Sequence, residues 1–421
     1  MFRLGYTQAL ASAPNAARDV LESRQEDSMA EQYIYLDHAA TTPVDPLVLA
    51  AMMPYFQEHY GNPSSIHRMG RRALDVLDDA RDEIAAHLSA NPKEIIFTGG
   101  GSEANNLALK GVAMERRAHG KAAHIITSAI EHHAILHTCD WLAEQGFEIT
   151  VLPVDTYGLV SPAALRAALR PDTALVSIMY ANNEIGTIQP LAELGAVCHE
   201  YDVPLHTDAV QAAGSMPLNV RELNVDLLTL TAHKIYGPKG VGALYVRRGL
   251  PLIPQINGGG QERRRRAGTE NVAGIVGFAR ALSLAEERRA DFVQQASRLR
   301  DALIQGLLEH IPLSHLNGHP TQRLANNVNI AFQYVEGESV LLLLDQQGIA
   351  ASSGAACTSG SLEASHVLLA LGMHQEEALG SVRFSLGQAT SQEDIARVLE
   401  VMPAVIEQLR ELSPAYAVRA E

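Results

Sequence analysis

The segment PLHTDAVQAAGSMPLNVRELNVDLLTLTAHKIYGPKGVGALYV, residues 204–246, decides the fold. It contains three short strand-like runs, at 204–207, 227–231 and 242–246, separated by turn-forming residues. Runs that are apolar throughout suit strands buried on both faces, as in a largely parallel sheet. The pattern continues upstream, where 94–97, 124–127, 148–153 and 174–180 read as strands. Helical spacing fills the gaps, for example at 104–117 after a glycine run and at 135–145 before Gly146. Seven strands alternating with helices predict an α/β body with a mostly parallel seven-stranded sheet flanked by helices.

Downstream the pattern changes. Residues 273–310 carry an uninterrupted helical pattern rich in Arg and Glu, suited to a bridge between domains. A strand at 326–331, a helix near 339–347 and a closing helix at 392–412 then suggest a smaller α+β domain. The expected division is a large domain at 43–290 and a small one built from 33–42 and 291–421. Residues 1–32 are read as a disordered or over-extended N-terminal stretch with no assigned function.

Composition narrows the function. Of 421 residues, 47% are hydrophobic and 19% charged, ordinary values for a globular enzyme. With 33 basic against 48 acidic residues the net charge is −15, which repels nucleic-acid phosphates and anionic membranes. No apolar run approaches the roughly 18 residues of a membrane span. The three cysteines, Cys139, Cys198 and Cys357, are too scattered for a disulfide framework or a metal site and point to the reducing cytoplasm.

Asp208 and Lys234 each stand just past the end of an expected strand. Carboxyl ends of parallel strands open on one crevice, so the two side chains can converge there. A lysine in such a place can form a Schiff base with an aldehyde cofactor, and an acid can keep a pyridinium nitrogen protonated. Gly99–Gly101 and Ser102 lie between a strand and a helix, where free N–H groups favour a phosphate. Thr231 and His233 flank Lys234 and can donate to the same group. Cys357 sits in SSGAACTSG (352–360), where small residues offer little to pack, so an exposed loop thiol is expected. Cys139 and Cys198 lie on amphipathic stretches and read as small buried hydrophobes.

The combination is specific. YLDHAATTP (35–43), FTGGGSEANNLALKG (97–111), EHHA (131–134), ANNEIGTIQP (181–190), HTDAVQAAG (206–214), AHKIYGPKGVGALYVR (232–247), GGGQERRRRAGTENV (258–272) and SSGAACTSG together resemble the cysteine desulfurases. The resemblance implies a homodimeric, fold-type-I enzyme of the class V aminotransferase group that uses pyridoxal 5'-phosphate. It implies Lys234 as the Schiff-base lysine, Asp208 as partner of the ring nitrogen and His132 as the stacked histidine. Asn183 and Gln211 resemble donors to the ring oxygen. Gly101, Ser102, Thr231 and His233 match phosphate-contacting positions, and Thr269 a residue reaching the neighbouring subunit's phosphate.

Arg383, in VRFSLG, resembles the clamp on the substrate carboxylate, for which a planar fork with two parallel donors is apt. Asn183 would assist it. Cys357 would take sulfur from L-cysteine as a persulfide, leaving alanine, and pass it to an iron–sulfur scaffold protein, with tRNA-thiolation carriers as a second class of acceptor. A selenocysteine lyase on the same scaffold and a non-catalytic sulfur-transfer scaffold are the rival readings. The four arginines 263–266 read as a solvated charged loop or a landing patch for an acidic partner.

Overall fold

The structure, a computed structural model, describes residues 33–120, 123–353 and 364–420. A short strand β1 (Ile34–Tyr35) opens it, and seven strands follow: β2 (Ile95–Thr98), β3 (His124–Ser128), β4 (Glu148–Leu152), β5 (Thr173–Ser177), β6 (Leu205–Asp208), β7 (Leu227–Thr231) and β8 (Gly242–Val246). These seven form one sheet in the order β2-β8-β7-β6-β5-β3-β4. All pairings are parallel except those of β8, which runs against both β2 and β7.

Side-chain alternation explains why the strands read as unbroken apolar runs. Ile125, Leu175, Leu227 and Leu244 face one layer, with Leu107, Val112 and Leu142 from the helices Gly101–Ala118 and His133–Glu144. Their neighbours Ile126, Val176, Leu228 and Tyr245 face the other, against Leu77, Ile84, Phe278 and Leu282 of helices Arg68–His87 and Val272–Glu287. Both faces are thus covered, and each fully buried leucine or isoleucine contributes roughly 1.5–3 kcal/mol.

A second core lies apart from the first. Here β9 (Ser314–Leu316), β10 (Asn327–Phe332) and, beyond the short β11 (Ile349–Ala350), β12 (Ser381–Ser385) make an antiparallel sheet in the order β12-β10-β9, while β1 pairs with β11. Val328, Ile330 and Phe332 of β10 and Val382 and Phe384 of β12 face helices Arg289–His310, Gly337–Gln346 and Gln392–Glu411. The period-two rule then turns Asn327, Asn329 and Arg383 the other way, toward the large sheet. Asn327 and Asn329 donate to the Glu184 carbonyl at 3.1 and 3.0 Å, stitching the two sheets together.

The bridge expected as one helix over 273–310 is instead two, Val272–Glu287 and Arg289–His310, meeting at Arg288. Arg288 keeps nearly helical angles (φ −94°, ψ −3°), so the helical spacing runs through the join without a glycine or proline to mark it. Its guanidinium holds Asp45 at 2.7 Å and Gln388 at 3.3 Å.

Candidate active site

Chain direction within the large sheet gathers the site. Successive strands run outward from β3 to β4 and then back across β5, β6 and β7, and ligands sit at the carboxyl ends where the order reverses. His132 follows β3, Asn183 follows β5, Asp208 ends β6 and Lys234 follows β7 by three residues, so four neighbouring strands deliver one residue each. The mutual field of His132, Asp208 and Lys234 marks their proximity. Burial holds the His132 imidazole below the usual histidine range, with the Asp208 charge opposing that shift and Lys234 reinforcing it.

Asp208 is buried, its carboxylate accepting from the Asn105 amide at 2.7 Å and from the Val210 N–H at 3.0 Å. Among the described residues it makes no ion pair. A buried carboxylate supported only by neutral donors fits a site built for a cation such as a protonated ring nitrogen. Lys234 directs its ammonium to the carbonyls of Ala39 and, at 2.7 Å, Ala40, while Gln211 donates to Ala39 at 2.9 Å. The segment YLDHAATTP thereby closes over the lysine. His132 caps the helix His133–Glu144, its Nδ1 accepting from the Ala134 N–H at 3.0 Å. That bond leaves Nε2 to carry the proton, since Nδ1 is the acceptor.

The glycine run enters the helix Gly101–Ala118 with no side-chain cap: Gly100 stands at the N-cap with φ 150° and a clear space around the place of a Cβ. Glu103 in the first turn bends back to the Gly99 N–H at 2.8 Å. A Cβ on Gly101 would come within 3.1 Å of Val210 and 3.7 Å of Thr231, so the helix start nests against the ends of β6 and β7. An uncapped helix N-terminus beside a shaped space fits a phosphate. Ser102 is exposed beside it. Thr231 donates to the Val241 carbonyl at 3.2 Å, and His233 Nδ1 lies 3.2 Å from Thr41 Oγ1. Burial and the two nearby lysines push His233 down to about 4, which keeps it a neutral donor at physiological pH.

Arg383 arrives from β12, its side chain 3% exposed. One nitrogen donates to the Asn183 carbonyl at 3.1 Å and another to Asp37 at 2.7 Å, while the buried Nε has no hydrogen-bond partner among the described residues. An unpaired buried guanidinium N–H suits an incoming carboxylate. Thr269 is exposed and makes no side-chain hydrogen bond among the described residues. Cys357 lies outside the described residues; the chain on either side is held by the Ser352–Arg383 backbone bridge and by Ser365, whose hydroxyl reaches Glu184 at 2.5 Å. Cys139 and Cys198 are buried, and burial pushes both thiols up to about 12, far from the thiolate form.

Sequence reasoning missed the supporting residues. Asn105 stands three residues after Ser102 on the buried face of its helix, a polar side chain among apolar ones, which was the available signal. Asp37, 346 positions from Arg383, left none. Of the four arginines, Arg263 and Arg264 are exposed, Arg263 donating to the Lys93 carbonyl at 3.1 Å, while the half-buried Arg266 pairs with Glu103 at 2.8 Å. Among the described residues no group of three or more His, Cys, Asp and Glu side chains could hold a metal ion, and no helix is long and apolar enough to cross a membrane.

The geometry has close parallels. Residues 34–398 match the model of the aminotransferase class-V family. The chain is 55% identical over 387 residues to a cysteine desulfurase IscS of Methanosarcina thermophila, covering 92% of this chain and 95% of that protein. It is 52% identical over 381 residues to a cysteine desulfurase IscS of Dictyoglomus turgidum, covering 90% and 96%. A solved structure described as a NifS-like protein superposes with a TM-score of 0.84 at 37% identity, covering 90% of this chain and all of that one. Another, described as SspA in complex with cysteine, gives 0.75 at 38% identity, covering 84% and 98%.

Proposed function

The chain belongs to the aminotransferase class-V family and is a pyridoxal-phosphate-dependent cysteine desulfurase, and from that premise we propose how its own residues share the work. The observation that carries the assignment is Asp208, a buried carboxylate that makes no ion pair among the described residues, one strand away from the Lys234 amine. Bound there, pyridoxal 5'-phosphate supplies an aldehyde for an amine and a ring that accepts electrons from the substrate's α-carbon.

Lys234 would hold the cofactor through Nζ and, when its amine is free, would take the substrate's α-proton there. Asp208 would keep a proton on the ring nitrogen. His132 would serve the ring itself, and Asn183 and Gln211 the ring oxygen. Gly101, Ser102, Thr231 and His233 hold the phosphate, and Arg383 with Asn183 grips the substrate carboxylate. The Cys357 thiolate attacks the substrate sulfur: an S–S bond forms, the C–S bond breaks with its electron pair left on carbon, and protonation of that carbon gives alanine.

We further propose a homodimer. Leu47, Leu49, Met53, Phe56, Tyr60 and Ile66 form an exposed apolar stretch, Ile66 at 91% exposure, of the kind subunit interfaces cover. Thr269 would reach the partner's phosphate from such an interface. The two cores support two bodies, 43–290 and 33–42 with 291–421. The persulfide sulfur goes to an iron–sulfur scaffold protein or a related acceptor in the cytoplasm.

The test is production of alanine and sulfide from L-cysteine by wild type and by Cys357→Ala. The variant should keep the cofactor's visible absorbance and lose turnover. A variant that retains full activity would remove Cys357 from the mechanism.

A further inference from the structure

The segment 261–266 has no part in the chemistry above, yet its backbone is held in an unusual shape. Glu262, Arg263 and Arg264 stand in succession at φ 45°, 57° and 65°, a left-handed conformation that side chains with a Cβ rarely adopt. Strain of this kind persists only where surrounding contacts impose it. Here the contacts are ionic and buried. Glu262 receives Arg81 through both guanidinium NH groups, at 2.9 and 2.8 Å, with the two side chains 2% and 5% exposed. The same carboxylate accepts the Phe97 N–H at 3.0 Å, and Arg81 lies 4.6 Å over the Phe97 ring.

Four residues on, Arg266 donates to both Glu103 oxygens, at 2.8 and 3.3 Å, and Glu103 also holds the Gly99 N–H. The segment is therefore fastened at one end to the strand entering the glycine cradle and at the other to the helix leaving it. Thr269 follows only three residues later, beyond Gly268 at φ 108°.

We propose that Glu262 and Arg266 are positioning residues that set the Thr269 loop in register with the subunit's own phosphate cradle, so that cofactor affinity at one site depends on ion pairs inside the partner subunit. The inference rests on the dimer reading of Thr269. Bidentate ion pairs suit the task because they fix both distance and angle between two loops, which apolar packing does less strictly.

Heterodimers made by co-expression of differently tagged chains test it. One subunit carries Lys234→Ala, so only the other gives the absorbance of covalently held cofactor. Apoprotein is titrated with pyridoxal 5'-phosphate. Glu262→Gln in the Lys234→Ala subunit should raise the dissociation constant at the competent site about tenfold, the size of one lost charge-assisted hydrogen bond, with KM for cysteine at saturating cofactor unchanged. In the competent subunit itself it should shift that constant less than about threefold. Arg266→Met, which leaves no fully buried charge behind, should show the same asymmetry and covers the case of poor folding by Glu262→Gln. Equal effects from either subunit, or none while Thr269→Ala in trans weakens cofactor binding, overturn the inference alone. No effect of Thr269→Ala in trans overturns the dimer reading and the inference with it.

Discussion

The carboxyl edge of the seven-stranded sheet and the facing edge of β12 contribute to one cleft but are built differently. On the large sheet, Asp208, Lys234 and His132 sit at or just beyond strand ends, with both faces of the sheet packed beneath them. On the small sheet, Arg383 projects from the middle of a strand whose other face is packed by three helices, and it reaches the cleft across the body-to-body contact at Asn183. The difference separates two tasks. Electronic groups must keep fixed relations to a ring, whereas the proposed grip on the substrate carboxylate comes from a second, separately packed core.

Lys234→Ala should produce the largest effect. Removing the amine that holds the cofactor and moves the α-proton should lower kcat by about 10⁴-fold and abolish the borohydride-fixed cofactor. Fixation elsewhere on the chain, with turnover intact, would break the assignment of the large sheet's edge.

Arg383→Lys comes next and should act on the other side of the comparison. Lysine keeps the charge but not the fork, and Asp37 remains to pair with it, so kcat/KM should fall on the order of a hundredfold, about 2.7 kcal/mol, mainly through KM. The cofactor's absorbance and affinity should stay unchanged. A loss of cofactor binding instead would show that the two edges do not divide the work.

The same contrast governs what the sequence reveals. The seven strands were visible because burial on both faces writes itself as unbroken runs such as Ile125–Ile126 and Leu227–Leu228. Lys234 and Asp208 were visible because their neighbours carry local motifs. The Arg383–Asp37 pair and the Asn105 support of Asp208 were not, since each joins elements about a hundred or more positions apart and nothing local encodes the meeting. The break at Arg288 escaped because the helical period is the same on both sides. In Arg263–Arg266 the exposed Arg263 and Arg264 agree with the solvated reading, while the pairing of Arg266 with Glu103, far away in sequence, left no local signal.

Glu131, under the large sheet's edge, predicts a pH effect. It is fully buried, and burial pushes its carboxyl up to about 8, against the opposing hydrogen bonds from Ser128 at 2.6 Å and the Met179 N–H at 2.9 Å. An acid raised in the folded state binds a proton there that the unfolded chain has already lost above its ordinary range near 4.5. Its contribution to stability is therefore complete below about pH 4.5 and is lost as pH rises to about 8. Glu131→Gln should flatten this decline, gaining steadily on wild type between those limits in denaturant titrations. Parallel curves for the two proteins would show that the carboxyl is ionised throughout.

The smallest expected effect lies where the small body meets the cysteine segment. Ser365 caps the helix His366–Ala370, accepting from the Val367 and Leu368 N–H groups at 3.1 and 3.3 Å, and gives its own proton to the buried Glu184. Burial raises the Glu184 carboxyl, and the Ser365 hydroxyl opposes that rise. Ser365→Ala removes the cap and the donor together, so stability should fall by about 1–2 kcal/mol. Because Glu184 also accepts Asn327 and Asn329 through its carbonyl, loosening it should reach the contact between the two sheets. Ser365→Thr keeps a hydroxyl and should restore most of the loss. Alanine and threonine variants of equal stability would show that the helix cap and the Glu184 bond contribute nothing to anchoring this end of the cysteine segment.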